Sequence, residues 1–187
     1  TMNKMTVRDI WSITHDEKRI VQVMGMGCEP DAYDPMEKAM VAYCKKQGIT
    51  RDIIFGGELV KEYAFTDETK MMGHVWKNGD SITIAAKGSP EKILTICKLT
   101  DEQRKIAENK ITEMSVKGLR VIAIGQMAVD GIENIPDSAN NIPISRMVLM
   151  APIIPKRSLA MWFLSNFCII FFRRRGLIVC EHIEYII

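Results

Sequence analysis

The distribution of acidic residues divides this chain in two. Positions 142–180 contain no Asp or Glu, although both are frequent before them. Within that stretch residues 158–172 read SLAMWFLSNFCIIFF and run straight into Arg173, Arg174 and Arg175. An apolar run of about 14 residues is short for a membrane span, which needs about 20. It is also too hydrophobic all round for a surface helix. Upstream, periodic apolar segments alternate with ordinary turn signals. A folded domain is therefore expected over 1–141, followed by an atypical hydrophobic tail over 142–187. A frameshifted or foreign origin would explain the tail; a segment lying at a membrane interface and a packed terminal helix are the alternatives.

Composition narrows the classes. With 187 residues, 47% hydrophobic and 26% charged, the chain suits one globular domain plus an appendage. A disordered, collagenous or many-span chain is excluded. The net charge of +2 gives no reason to expect a nucleic-acid partner, which would call for a clustered basic face. Cys28, Cys44, Cys97, Cys168 and Cys180 form no CxxC pair and no disulfide framework. The first three read as small buried apolar residues in a reducing compartment.

Local signals over the first 141 residues predict an α/β (α+β) domain: a mostly antiparallel sheet flanked by helices. Residues 4–11 read as a strand anchored by Val7 and Ile10, and 15–24 as a short helix ending at Gly25 or Gly27. Asp34, Pro35 and Glu37 give the clearest helix start, with Glu37 where a capping-box acid would sit and a stop at Gly48. Residues 59–65, 71–77 and 81–86 are strand-like, and Asn78-Gly79 is a strong hairpin signal. Ser89 and Pro90 open a helix through Cys97. Thr100 caps another to about Lys117, with Ile106, Ile111 and Met114 on one face. Gly118 stops it before a buried strand over 119–125.

Catalytic motifs are missing from the sequence. It has no GxxxxGK[ST] loop, HExxH, GxSxG or usable GxGxxG. The Gly25-Met26-Gly27 triplet lacks a third glycine. His15, His74 and His182 are scattered, and His74 reads as a sheet residue satisfied by a partner. No metal site is expected, and no catalytic residue.

Five short segments nevertheless point to one family. TMNKMTV (1–7) resembles the stretch just after the phosphorylated aspartate of P-type cation-transporting ATPases, in the run DKTGTLT. YDPMEKAM (33–40) is similar to the helix bearing an adenine-contacting glutamate. FTDETKMM (65–72) resembles the segment with a stacking phenylalanine and a lysine. KGSPE (87–91) resembles the pocket motif KGAPE, and GLRVIAIG (118–125) the arginine strand that ends the same pocket. The resemblance covers about residues 1–130 and implies a nucleotide-binding domain, 1–7 being the start of the link from the phosphorylation domain. It implies that Phe65 stacks on adenine, that Glu37 accepts from the adenine amino group, and that Lys87 with Gly88 lines base and ribose. Lys70 would stand near the base–phosphate junction, and Arg120 would meet the phosphates. ATP is the implied ligand, with Mg²⁺ held mainly by the phosphorylation domain. The implied partners are the phosphorylation, actuator and transmembrane domains of a pump, on the cytoplasmic side of a membrane. The parent would be an ion-translocating ATP hydrolase, and the 187 residues alone would be inactive. MTV and KGSPE together look most like bacterial type II pumps of the calcium kind, although many relatives have GDPTE where this chain has YDPME.

Each residue also has a plainer reading. Phe65 would be a half-buried strand aromatic, Lys70 and Lys87 surface lysines with buried stems, Glu37 a helix-start acid, and Arg120 an ion-pair partner at a strand end. For the chain as a whole the alternatives are a non-catalytic nucleotide-binding module and a membrane-surface protein acting through its tail. The tail should hold a GLxGxxDPxR-like return to the phosphorylation domain and does not. Read one base out, the codons of 147–155 (MVLMAPIIP) can yield G-x-x-G-x-x-D-P.

Overall fold

The computed structural model describes residues 5–13, 16–32, 34–142 and 146–153. In chain order these form β1 (Thr6–Ser12), α1 (Glu17–Met26), α2 (Pro35–Lys46), α3 (Arg51–Phe55), β2 (Glu58–Tyr63), β3 (Met71–Asn78) and β4 (Ser81–Gly88). Next come α4 (Pro90–Ile96), α5 (Asp101–Val116), β5 (Ile122–Val129), two short 3-10 turns and β6 (Arg146–Ile153). The six strands make one sheet in the order β1-β6-β5-β4-β3-β2, and every neighbouring pair is antiparallel. The expected fold class is the observed one. No helix among the described residues is long and apolar enough to cross a membrane.

Caps and stops set the helix limits. The Asp34 carboxylate accepts from the backbone N–H of Met36 at 2.8 Å and Glu37 at 3.1 Å. Ser89 opens α4 by accepting from Lys92 N–H, and Thr100 with Gln103 completes a reciprocal capping box on α5. α2 and α5 both end in a left-handed glycine, Gly48 at φ 78° and Gly118 at φ 72°. The next residues, Ile49 and Leu119, donate back to Cys44 and Met114, which is the paired hydrogen bonding of a Schellman stop. This stop absorbs Leu119, so β5 starts at Ile122 rather than at the expected 119. Two smaller departures share that local character. The β3–β4 turn is centred on Gly79 and Asp80, because Asn78 still pairs with Ser81. On α5 the buried positions are Ala107 and Met114, while Ile106 is 47% exposed.

Side chains alternate across the sheet and build two cores. Val75, Ile84, Ala86 and Ala123 face Ile93, Leu94, Ala107 and Met114 from α4 and α5. Trp76, Ala85, Ile122 and Ile124 face Ile20, Met24, Met40 and Ile54 from α1, α2 and α3. Strands β3, β4 and β5 are thus covered on both faces, which accounts for the apolar run SITIAA. The edge strands β1 and β2 each carry a register shift, at Val7/Asp9 and Leu59/Lys61; such irregularities discourage further strand pairing. Cys28, Cys44 and Cys97 are free and buried as expected. Burial pushes each thiol up to about 12, so all three are protonated at neutral pH. Gly25 lies inside α1 against the Ile54 side chain, so the glycine pair is a packing and helix-end feature.

The sheet also relocates the domain boundary. β6 sits between β1 and β5 and pairs with both, and Ile142 is 1% exposed in the α4–α5 core. The first compact unit runs Thr1–Ile154, so an end at Asn141 falls one strand short. The run at 158–172 lies outside the described residues. A chain cut after Asn141 loses the strand that joins β1 to the rest. It is expected to melt roughly 10 °C below a chain cut after Ile154, the equivalent of several kcal/mol. Equal melting of the two in calorimetry would show that β6 contributes nothing to stability.

Candidate functional site

Antiparallel order brings four strand ends to one side of the sheet. Tyr63 at the end of β2 pairs with Gly73, Met71 at the start of β3 pairs with Gly88, and Gly88 at the end of β4 pairs with Ala123 near the start of β5. Phe65 lies just beyond β2, Lys70 precedes β3, Lys87 and Gly88 close β4, and Arg120 precedes β5. Three separate segments, the 64–70 connection, the end of β4 and the approach to β5, thus converge on one end of the sheet.

Lys87 and Glu37 are in direct contact. Lys87 is 3% and Glu37 5% exposed, and the Lys87 ammonium donates to Glu37 Oε1. The second oxygen, Oε2, accepts from the backbone N–H of Glu29 at 3.3 Å. The plainer readings of both residues therefore fail. Lys87 is no surface lysine, and Glu37 turns its carboxylate toward the sheet instead of capping α2, a task that Asp34 performs. Isolated, either charge would be very costly at this depth; together they neutralise each other. Cys28 lies close enough for its thiol to be pulled down by Lys87 and pushed up by Glu37, both effects smaller than its burial.

Lys70 and Gly88 meet through backbone. The turn ahead of β3 is held by Lys70 N–H donating to Thr66 O at 2.8 Å and by the Thr66 and Thr69 hydroxyls 2.8 Å apart. Lys70 is left at φ 48°, with its side chain exposed, and its carbonyl accepts from Ser89 N–H at 2.9 Å. A Cβ on Gly88 would lie 2.5 Å from that carbonyl and 2.6 Å from Met71 Cβ. Gly88 is thus required for the close approach of β4 to the Lys70–Met71 backbone. A cleft of about 380 Å³ bounded by Lys70, Ser89 and Lys92 adjoins this junction. A larger hollow of about 680 Å³, lined by Lys38, Lys45 and Arg51 among others, contains none of the six expected residues.

Phe65 is 57% exposed. β2 ends at Tyr63, so this phenylalanine lies in a loop and is largely exposed, not half-buried in a strand. Arg120 is exposed two residues ahead of β5. Topology alone places these two beside the others.

A second cluster was not legible in the sequence. Glu62 and His74 are cross-strand partners, and Glu29 approaches them from the loop after α1. His74 is fully buried, with Nδ1 3.3 Å from the Met26 carbonyl. Trp76 Nε1 donates to the same oxygen at 2.7 Å. The one sequence signal was the two-residue spacing of His74 and Trp76, which puts both on one face.

Residues 31–151 match the sequence profile of the family described as P-type ATPase, cytoplasmic domain N. The sodium/potassium exporting P-type ATPase cta3 of Schizosaccharomyces pombe is 27% identical over 109 residues. That similarity covers 54% of this chain and 10% of the yeast protein, so the chain spans a small part of its relative's length. The family match reaches into β6 and takes in all six residues gathered at the sheet end. The chain belongs to the P-type ATPase cytoplasmic domain N family.

Proposed function

We propose that this chain is the nucleotide-binding module of a cation-transporting ATPase, holding ATP for transfer to an aspartate on a neighbouring phosphorylation domain. The observation that carries the reading is the convergence of Glu37, Phe65, Lys70, Lys87, Gly88 and Arg120 on one end of the sheet, around a buried ion pair. An adenine ring laid on the exposed face of Phe65 would gain on the order of 1–3 kcal/mol from stacking. The Glu37 carboxylate accepts from an exocyclic amino group, and Lys87 holds that carboxylate in place. Lys70 and Arg120 are cations at the rim, and a guanidinium fork suits phosphate oxygens. Gly88 acts indirectly, by letting β4 close against the Lys70 turn.

Mg²⁺ and the groups that stabilise phosphoryl transfer would come mainly from the phosphorylation domain, and this module supplies position. Actuator and transmembrane domains complete the proposed pump, with the module on the cytoplasmic side. MTV and KGSPE favour a bacterial calcium-type assignment. The yeast relative is named for sodium and potassium export, so direct ion assays on a full-length pump decide the transported ion.

Three outcomes test this reading. Phe65→Ala should weaken ATP binding by about 1–3 kcal/mol in calorimetry with the melting temperature unchanged, because Phe65 is exposed. Lys117→Ala should leave affinity unchanged, since Lys117 pairs with Glu113 on the surface of α5. Unchanged affinity in the Phe65 variant would remove it from the site.

The ion pair should show itself as coupling. Lys87→Met leaves the Glu37 carboxylate buried and alone, at a cost of about 3–5 kcal/mol of stability. Adding Glu37→Gln should recover part of that stability without recovering ATP binding. Additive losses in the double variant, measured by denaturant unfolding, would show that the two charges do not depend on each other.

Catalysis should be silent. The 187 residues contain no DKTGT, so incubation with labelled ATP and Mg²⁺ should give neither turnover nor an acid-stable phosphoprotein. Robust hydrolysis abolished by Phe65→Ala would overturn the positioning role.

A further inference from the structure

We propose that Glu29, Glu62 and His74 form a binding site for a divalent transition-metal ion of the zinc class, separate from the nucleotide residues. The ring of His74 is 0% exposed. Its Nδ1 faces the Met26 carbonyl at 3.3 Å, and a carbonyl can only accept. The partner therefore assigns the proton to Nδ1 and leaves a lone pair on Nε2. That buried nitrogen has no hydrogen-bond partner among the described residues.

Nε2 points at two carboxylates. Glu29 Oε1 is 3.6 Å away and Glu62 Oε1 3.9 Å. Both distances are too long for a hydrogen bond. They are close to the separation of two atoms sharing one metal ion, on the order of 3.4 Å for tetrahedral bonds of about 2.1 Å. The three donor atoms all lie within 4.8 Å of one another. Three acceptors thus converge on one point, an arrangement that a cation would convert into coordination.

The surroundings suit a metal site. A hydrogen bond from the distal ring nitrogen to a carbonyl is the usual way a ligating histidine is oriented. Glu62 and His74 are held in register by the β2–β3 ladder. The Glu29 backbone N–H is anchored on Glu37 Oε2. The Glu29 and Glu62 side chains are 40% and 47% exposed, which leaves an entry path and room for water ligands. One imidazole with two carboxylates suits zinc, cobalt or manganese better than magnesium or calcium, which prefer all-oxygen sets.

The test uses the full chain. Zinc chloride titrated in a calorimeter should show one equivalent bound, with a raised melting temperature. Cobalt(II) added to isotope-labelled protein should shift or broaden the His74 ring resonances first, before those of His15 and His182. Glu29→Gln and Glu62→Gln are isosteric changes at exposed side chains and should keep the fold by circular dichroism. Each should weaken zinc at least tenfold, and the double variant should lose both the binding and the thermal shift. The site is refuted if His15, His182 or a cysteine takes the metal while His74 stays silent. Wild-type affinity in the double variant, or no binding at millimolar zinc, refutes it equally.

Discussion

The Lys87 ammonium lies inside the α1–α2 side of the sheet, and only the Glu37 carboxylate makes that burial tolerable. Desolvating each ion costs several kcal/mol, which mutual attraction offsets only when the remaining hydrogen-bonding capacity is also met. Here the second Glu37 oxygen takes the Glu29 N–H. The contacts that Met36 and Val41 of α2 make with the core on that side are apolar and therefore non-directional. The ion pair adds direction. It ties the first turn of α2 to the last residues of β4, and through Glu29 it also holds the loop after α1.

The rest of the sheet delivers Lys87 to that position. β4 is central, buried on both faces and paired along its whole length with β3 and from Ile82 onward with β5. A one-residue slip of β4 would send Lys87 into the α4–α5 core and bring Ala86 out opposite Glu37. The alternation of Ile82, Ile84 and Ala86 with Ala85 and Lys87 therefore specifies the core and the ion pair at once. Gly88 continues the same logic, since any larger residue would push β4 off the Lys70 carbonyl.

Much of this was legible because it is local. Asp34, Ser89 and Thr100 announce their helices through short hydrogen bonds to residues two or three positions on, and Gly48 and Gly118 announce the ends. The hairpin strands are evident from alternation around Gly79. What could not be read depends on partners distant in the chain. Glu37 and Lys87 are fifty positions apart, and each alone has an ordinary surface explanation. His74 meets Met26 forty-eight positions away. The break in composition at 142 misled for a related reason: an apolar strand without acids is what a position between two other strands demands. β6 occupies such a position, between β1 and β5. The six nucleotide candidates came from family likeness. The structure adds the ion pair and the tight contact of Gly88 with the Lys70 carbonyl, but the composition of these residues alone would not have grouped them.

The candidate site divides into a rigid base and an open rim, and the division has consequences for the proposed role. Glu37 and Lys87 are held by burial and by each other, so a ligand meeting them incurs little ordering cost. Phe65, Lys70 and Arg120 are exposed side chains at loop or strand ends, and a ligand meeting them must order each one. On the proposed reading, such a site would grip one end of a nucleotide more firmly than the other. For the module proposed, which would hand a phosphate to a different domain, that asymmetry would be useful. Binding energy collected at the base would keep the molecule in place, while the phosphates would stay accessible to the groups that react with them. Tighter enclosure of the phosphates here would stabilise the bound nucleotide before transfer as much as during it, and uniform binding of that kind lowers no barrier.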